Sequence, residues 1–117
     1  MIKLANIIRG TTPTLELIVP PDKLNLSDVT SLLIPISQRN EVLVLKDMGE
    51  VLIDTQENTI GIYLTEEETL KFEVGNAEIQ LIYWIDTAKY ATSIATFRFN
   101  KILYEKDSKT TSKNKRG

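Results

Sequence analysis

Apolar residues in this chain recur at every second position, in short runs separated by turn signals. A period of two marks strands, because successive side chains of a strand leave by opposite faces. Residues 14–19 put Leu15, Leu17 and Val19 on one face, and residues 29–39 do the same with Leu32, Ile34, Ile36 and Gln38. Shorter strands are expected at 42–46 and 51–54, a clean alternation at 59–64, and a last strand at about 90–103 with Phe97 and Phe99 inward. The longest strand, 77–86, carries Ile79, Leu81, Tyr83 and Ile85 on one face and Gln80, Ile82 and Trp84 on the other. Pro35 falls opposite the core face of its strand, so an edge or a bulge is expected there. Gly49, in the turn Asp47-Met48-Gly49-Glu50, is free to take positive φ. About seven strands with turns every 8–12 residues suit an antiparallel sandwich, with a partly open barrel as the competitor.

One stretch departs from the alternation: Leu64-Thr65-Glu66-Glu67-Glu68-Thr69-Leu70-Lys71-Phe72. Thr65 followed three residues later by Glu68 is a capping box, so a single helical turn is expected near 65–70. The acids Glu66, Glu67 and Glu68 suit its first residues, where unpaired amides favour negative charge. They do not make a metal site, since consecutive helical residues point about 100° apart. Leu64, Leu70 and Phe72 are expected to pin the turn to the core. Asp47, Glu50, Asp54 and Glu57 lie near two turns but lack the regular spacing of a calcium loop.

The 117 residues support one domain with a core of its own, and a mean hydropathy of -0.12 suits a soluble globular protein. No run approaches a membrane span, and the first nine residues do not read as a signal peptide. Cysteine and histidine are both absent, which excludes disulfides, thiol chemistry and zinc fingers and removes the commonest base near neutral pH. Ser93 therefore has no histidine partner as a nucleophile. No phosphate loop, dinucleotide fingerprint or nucleophile elbow occurs. No catalytic, metal or cofactor residue is assigned, and neither an enzyme nor a small-molecule substrate is expected. Residues 105–117 hold five Lys/Arg against two acids, leaving a net -5 on the remainder. An acidic body with a short basic tail is not the footprint of a nucleic-acid-binding domain. The tail is expected to be disordered.

Three pieces taken together carry a resemblance: Arg9-Gly10-Thr11-Thr12-Pro13-Thr14, the Leu64 to Phe72 stretch, and Ile79-Gln80-Leu81 with Ser93-Ile94 downstream. From residue 9 to about 103 the chain resembles small proteins of the structural-gene modules of tailed phages and prophages of Gram-positive bacteria. More loosely, it is similar to the immunoglobulin-like N-terminal domain of phage baseplate upper proteins. The resemblance implies an all-β, immunoglobulin-like antiparallel β-sandwich with no catalytic residues. It also implies a virion protein, made in the bacterial host cytoplasm, whose partners are other phage structural proteins, including a homo-oligomer. Capsid decoration, the head–tail connection and the baseplate are its candidate locations. Where relatives carry an Asp-Gly hairpin this chain has Asp86-Thr87-Ala88-Lys89, so a longer or different turn is expected. Residues 1–8 are expected as a first edge strand or as an arm that orders on a partner; residues 9–104 form the sandwich.

The surface residues singled out are Trp84, Ile82, Ile18 and Leu33, all on faces opposite the expected core. Either the sandwich buries part of both faces, or Trp84 is the core tryptophan and the strand phase is the reverse, or these side chains form a patch that docks a neighbouring subunit, where tryptophan is a favoured anchor. An exposed tryptophan could also stack on a sugar, giving a carbohydrate-binding adhesion module as the alternative function.

Overall fold

The inward members of the alternating runs meet in one core. The computed structural model describes residues 2–3 and 6–103; the basic tail at 105–117 lies outside the described residues. The elements in order are β1 (Ile2–Lys3), β2 (Ile7–Ile8), β3 (Thr14–Ile18), β4 (Ser31–Gln38), β5 (Glu41–Asp47), β6 (Leu52–Asp54), β7 (Thr59–Tyr63), α1 (Glu66–Thr69), β8 (Gly75–Ile79), β9 (Ile82–Ile85), β10 (Ala88–Ala91) and β11 (Ala95–Asn100). Short 3-10 turns occupy Leu26–Asp28 and Met48–Glu50.

One sheet has the order β1-β3-β7-β6; the other runs β10-β9-β4-β8-β11-β2, with β5 on the far side of β4. β8 and β9 hold one register against β4 and act as a single interrupted strand. β11 and β10 form its equally interrupted neighbour. The first leg crosses between sheets, β1 pairing β3 and β2 pairing β11. Residues 2–3 and 7–8 are thus strands of this chain's own sandwich. With the broken strands joined, this is the immunoglobulin-like arrangement, the second and sixth legs (β3 and β7) central in one sheet and the third (β4), seventh (β8/β9) and eighth (β10/β11) adjacent in the other. The β2–β11 pair is parallel, in an otherwise antiparallel structure.

Leu15 and Leu17 of β3, Ile60 and Ile62 of β7, and Leu32, Ile34 and Ile36 of β4 are all buried, as are Ile79, Leu81, Phe97 and Phe99. Phe72, just beyond α1, stacks on Phe99 with ring centroids 4.3 Å apart. The helical turn is therefore held from below by an aromatic pair.

Three local expectations change. Pro35 is not on an edge, because β4 lies between β5 and β8/β9. Its missing N–H interrupts the ladder opposite Gln80, whose own amide still reaches the Pro35 carbonyl at 3.3 Å. That gap separates β8 from β9. A bulge does lie close by, as a register shift between Ile36 and Ser37 against β5. Gly49 does not take positive φ, which among the described glycines belongs to Gly10 and Gly75. Its turn is a capping box, Asp47 accepting from the Gly49 amide and Glu50 from the Asp47 amide, both at 3.0 Å. The Asp86 turn is a two-residue loop closed by Ile85 and Ala88, with Asp86 at φ 58°. It is tight, not long. The β4–β5 hairpin is equally tight, with Arg39 and Asn40 both at positive φ as a type I′ turn requires.

Candidate functional site

The capped turn is the anchor of one end of the sandwich. Thr65 Oγ1 accepts from the Glu68 amide at 3.1 Å, and Glu68 Oε1 accepts from the Thr65 amide at 2.9 Å. Lys46 reaches across from β5 and donates through Nζ to both Glu68 oxygens, at 3.0 and 2.9 Å. Burial pushes the Glu68 carboxyl up, but the Lys46 ammonium and the Thr65 groups outweigh it and hold the carboxyl below its usual 4.5. The Arg9 guanidinium donates to the carbonyls of Phe72 and Leu70. Thr69 is fully buried, and its hydroxyl accepts from the Gly10 amide at 3.0 Å. The same hydroxyl lies 2.9 Å from the Thr11 carbonyl. Gly10 sits at φ 84°, a conformation that favours glycine. Residues 9–14 and 64–72 are thus one docked unit.

The third piece is the paired interruption of the large sheet. Thr92 pairs in line with Leu81, whereas Ala95 pairs with Ile79, so Ser93 and Ile94 together face Gln80. This is a bulge, and side chains stitch it: Gln80 Nε2 donates to the Thr92 carbonyl at 2.7 Å and the Leu81 amide to Thr92 Oγ1 at 3.2 Å. All three pieces hold architecture.

The outer face of the large sheet carries an apolar strip among polar neighbours such as Ser31, Ser37 and Glu78. Leu33 faces Ile82 directly across β4 and β9, and Trp84 lies opposite Ser31 in the next outward row. On the far side of Trp84 is Lys89, whose Nζ sits 5.5 Å from the ring centroid. Leu45 pairs with Pro35 and Val42 with Ser37, carrying the strip to the β5 edge. Leu33, Ile82 and Trp84 are half-buried, while Val42 and Leu45 are exposed. Ile18, by contrast, belongs to the other sheet, where it pairs with Thr59. The structure brings three of the four singled-out residues together and separates the fourth. A sugar ring stacking on Trp84 would have to displace Lys89 from that face, and the nearby Gln80 amide is already engaged by Thr92.

Ile18 instead lines a groove of about 560 Å³ between the two sheets. Leu17, Val19, Pro20, Lys23 and Leu24 share that wall, and Leu81, Tyr83 and the 92–95 bulge form the other. Lys23 is the one charged residue on its walls among the described residues. No group of three or more acidic side chains converges anywhere among them. Asp47 and Glu50 cap a turn, and Asp54 accepts from the amides of Gln56 and Glu57.

Of the polar residues inside, sequence reasoning placed Gln38 on the core face of its strand and missed Asn58 and Lys46. Asn58 is buried at the end of the turn before β7, donating to the carbonyls of Val19 and Leu24 at 2.7 Å and accepting from the Leu26 amide at 2.8 Å. Gln38 ties β4 to the 73–76 connection through Glu73 and Asn76. Lys46, 8% exposed, reads in sequence as an ordinary strand-end charge. The one available signal was its parity with Val44 on the inward face. Family models, curated proteins and solved structures were each compared with the chain, and none matches.

Proposed function

We propose that this is a non-enzymatic virion structural protein that docks on other virion subunits. Its site would be in capsid decoration, the head–tail connection or the baseplate, after synthesis in the host cytoplasm. The observation that carries this reading is the strip Leu33, Ile82 and Trp84, continued by Val42 and Leu45, on the outer face of one sheet. A sheet face whose apolar strip ends in a tryptophan suits protein docking, because aromatic anchors are favoured in interface hot spots. The buried polar side chains Gln38, Asn58, Lys46 and Thr69 are engaged in tying loops together, so they serve the scaffold. The phage-like signature supplies the virion context, and its residues build the framework that presents this face.

The test uses a lysogen whose induced particles encode the chain. Purified particles should contain it in fixed proportion, and the double variant Ile82→Lys, Trp84→Lys should fold yet be missing from them. Particles of normal composition without the chain would remove the virion reading, and incorporation of the double variant would remove the face.

A further inference from the structure

β5 is the long outer edge of the larger sheet. It pairs β4 alone, and among the described residues no strand lies beyond it. Long edges template another strand through their unpaired groups unless proline, charge, a bulge or short length intervenes; β5 has no proline, and its bulge keeps Val42 and Leu45 on one face. β5 has seven residues, the middle of which reads Val42-Leu43-Val44-Leu45. Val42 is 55% exposed and Leu45 53%.

The bulge gives this edge a particular geometry. Val42 faces Ser37 and Leu45 faces Pro35, with Leu43 as the extra residue between registers. Both side chains therefore lie on the outer face although three positions apart; in a regular strand they would point opposite ways. The backbone follows. Ladder bonds of an antiparallel pair alternate in direction along each strand. Pro35 accepts from Gln80 on the other side of β4, so the bonds toward β5 come from its even-numbered residues, Ile34 to Lys46, Ile36 to Val44 and Gln38 to Glu41. The N–H and C=O groups of Val42 and Leu45 consequently point away from the sheet. The Asp47 amide is already taken by Glu50, which ends the open segment.

We propose that β5 pairs antiparallel with β5 of a second copy, Val42 of each opposite Leu45 of the other, joining two large sheets into one. The occupant is a second copy because the edge is self-complementary. The Val42-to-Leu45 spacing is the same on both strands, so both bonded pairs close together about a two-fold axis. Charge selects the register as well. The neighbouring pairing, centred on Val44, sets Glu41 against Asp47, two like charges, and this one does not. The inference concerns the chain with itself and stands apart from the virion reading.

Sedimentation over a concentration series should show a monomer–dimer equilibrium. Leu45→Pro removes an N–H that no bond within the chain uses, so the variant should keep its far-UV spectrum while dimerising at least tenfold more weakly. The chain lacks cysteine, so the double variant Val42→Cys, Leu45→Cys gives a direct readout of register. Facing residues of a bonded pair lie about 5.5 Å apart, within disulfide reach. Oxidation should yield covalent dimers with the double variant and not with Val42→Cys alone. A monomer at every concentration, a dimer indifferent to Leu45→Pro, or equal cross-linking by Val42→Cys alone each overturns the proposal. If Leu45→Pro fails to fold, the cysteine pair decides. Trp84→Lys should leave the dimer intact; its loss there would assign self-association to the outer face instead and overturn the β5 pairing.

Discussion

Lys46 and Glu68, 22 residues apart in the chain, meet through both carboxylate oxygens at 3.0 and 2.9 Å, joining a strand of the large sheet to the cap of the helical turn. The lysine side chain is 10% exposed and the glutamate 23%, so this pair is shielded where most ion pairs are wet. Breaking a buried pair from one side strands the other charge, at a cost of about 3–5 kcal/mol. Glu68→Ala removes the cap and the partner together and should fall in that range by urea denaturation. Lys46→Met, which keeps the stem and leaves the better-exposed partner, should cost about 1–2 kcal/mol. Equal costs would mean that the carboxylate is no more dependent on the pair than the ammonium.

The same pair sets a pH dependence. Glu68 is held below its usual 4.5 in the folded chain. The unfolded chain therefore takes up a proton at a higher pH than the folded one does. Its contribution is fully present above about 4.5, and it is lost as pH falls through the depressed folded value. Urea midpoints measured from pH 7 down to pH 3 should fall more steeply in this window for the wild type than for Lys46→Met. Parallel profiles would remove Lys46 as the cause.

Strand existence was legible because burial of one sheet face imposes a period of two, which Leu15 and Leu17, Ile34 and Ile36, and Phe97 and Phe99 display directly. The cap was legible for a different reason: Thr65 and Glu68 satisfy each other's amides locally, so their spacing alone carries the signal. What sequence could not carry was long-range pairing. Arg9 binds carbonyls more than 60 residues away, and Lys46 looks like any exposed strand lysine until α1 is folded above it. Trp84, Ile82 and Leu33 were readable as outward by phase. That Ile18 lies apart from them depends on which strands share a sheet, and alternation does not encode that.

Asn58 joins two separate demands at one position. It takes φ 58° and makes three side-chain hydrogen bonds to the 19–26 connection, two of them buried. Asn58→Gly keeps the backbone conformation and loses the bonds; Asn58→Ala loses both. Leaving those buried groups unpaired should cost about 2–4 kcal/mol in either variant, with alanine worse by about 1 kcal/mol for its left-handed backbone. Thermal or urea unfolding of both variants separates the two terms. Equal stabilities for alanine and glycine would show that the turn relaxes out of the left-handed region.

Trp84 and Phe72 offer the sharpest comparison between face and core. Phe72 is fully buried and stacked on Phe99, and a truncation there leaves a cavity the sheets cannot close. Phe72→Ala should therefore cost about 3–5 kcal/mol. Trp84 is half-buried on the outer face, with Lys89 over its ring. Water and the lysine stem can fill the space it leaves, so Trp84→Ala should cost only about 1–2 kcal/mol despite the larger side chain. Unfolding followed by far-UV circular dichroism serves both variants, since the second lacks the chain's single tryptophan. A cost for Trp84→Ala matching that of Phe72→Ala would make the tryptophan a core residue and take away the anchor of the docking face.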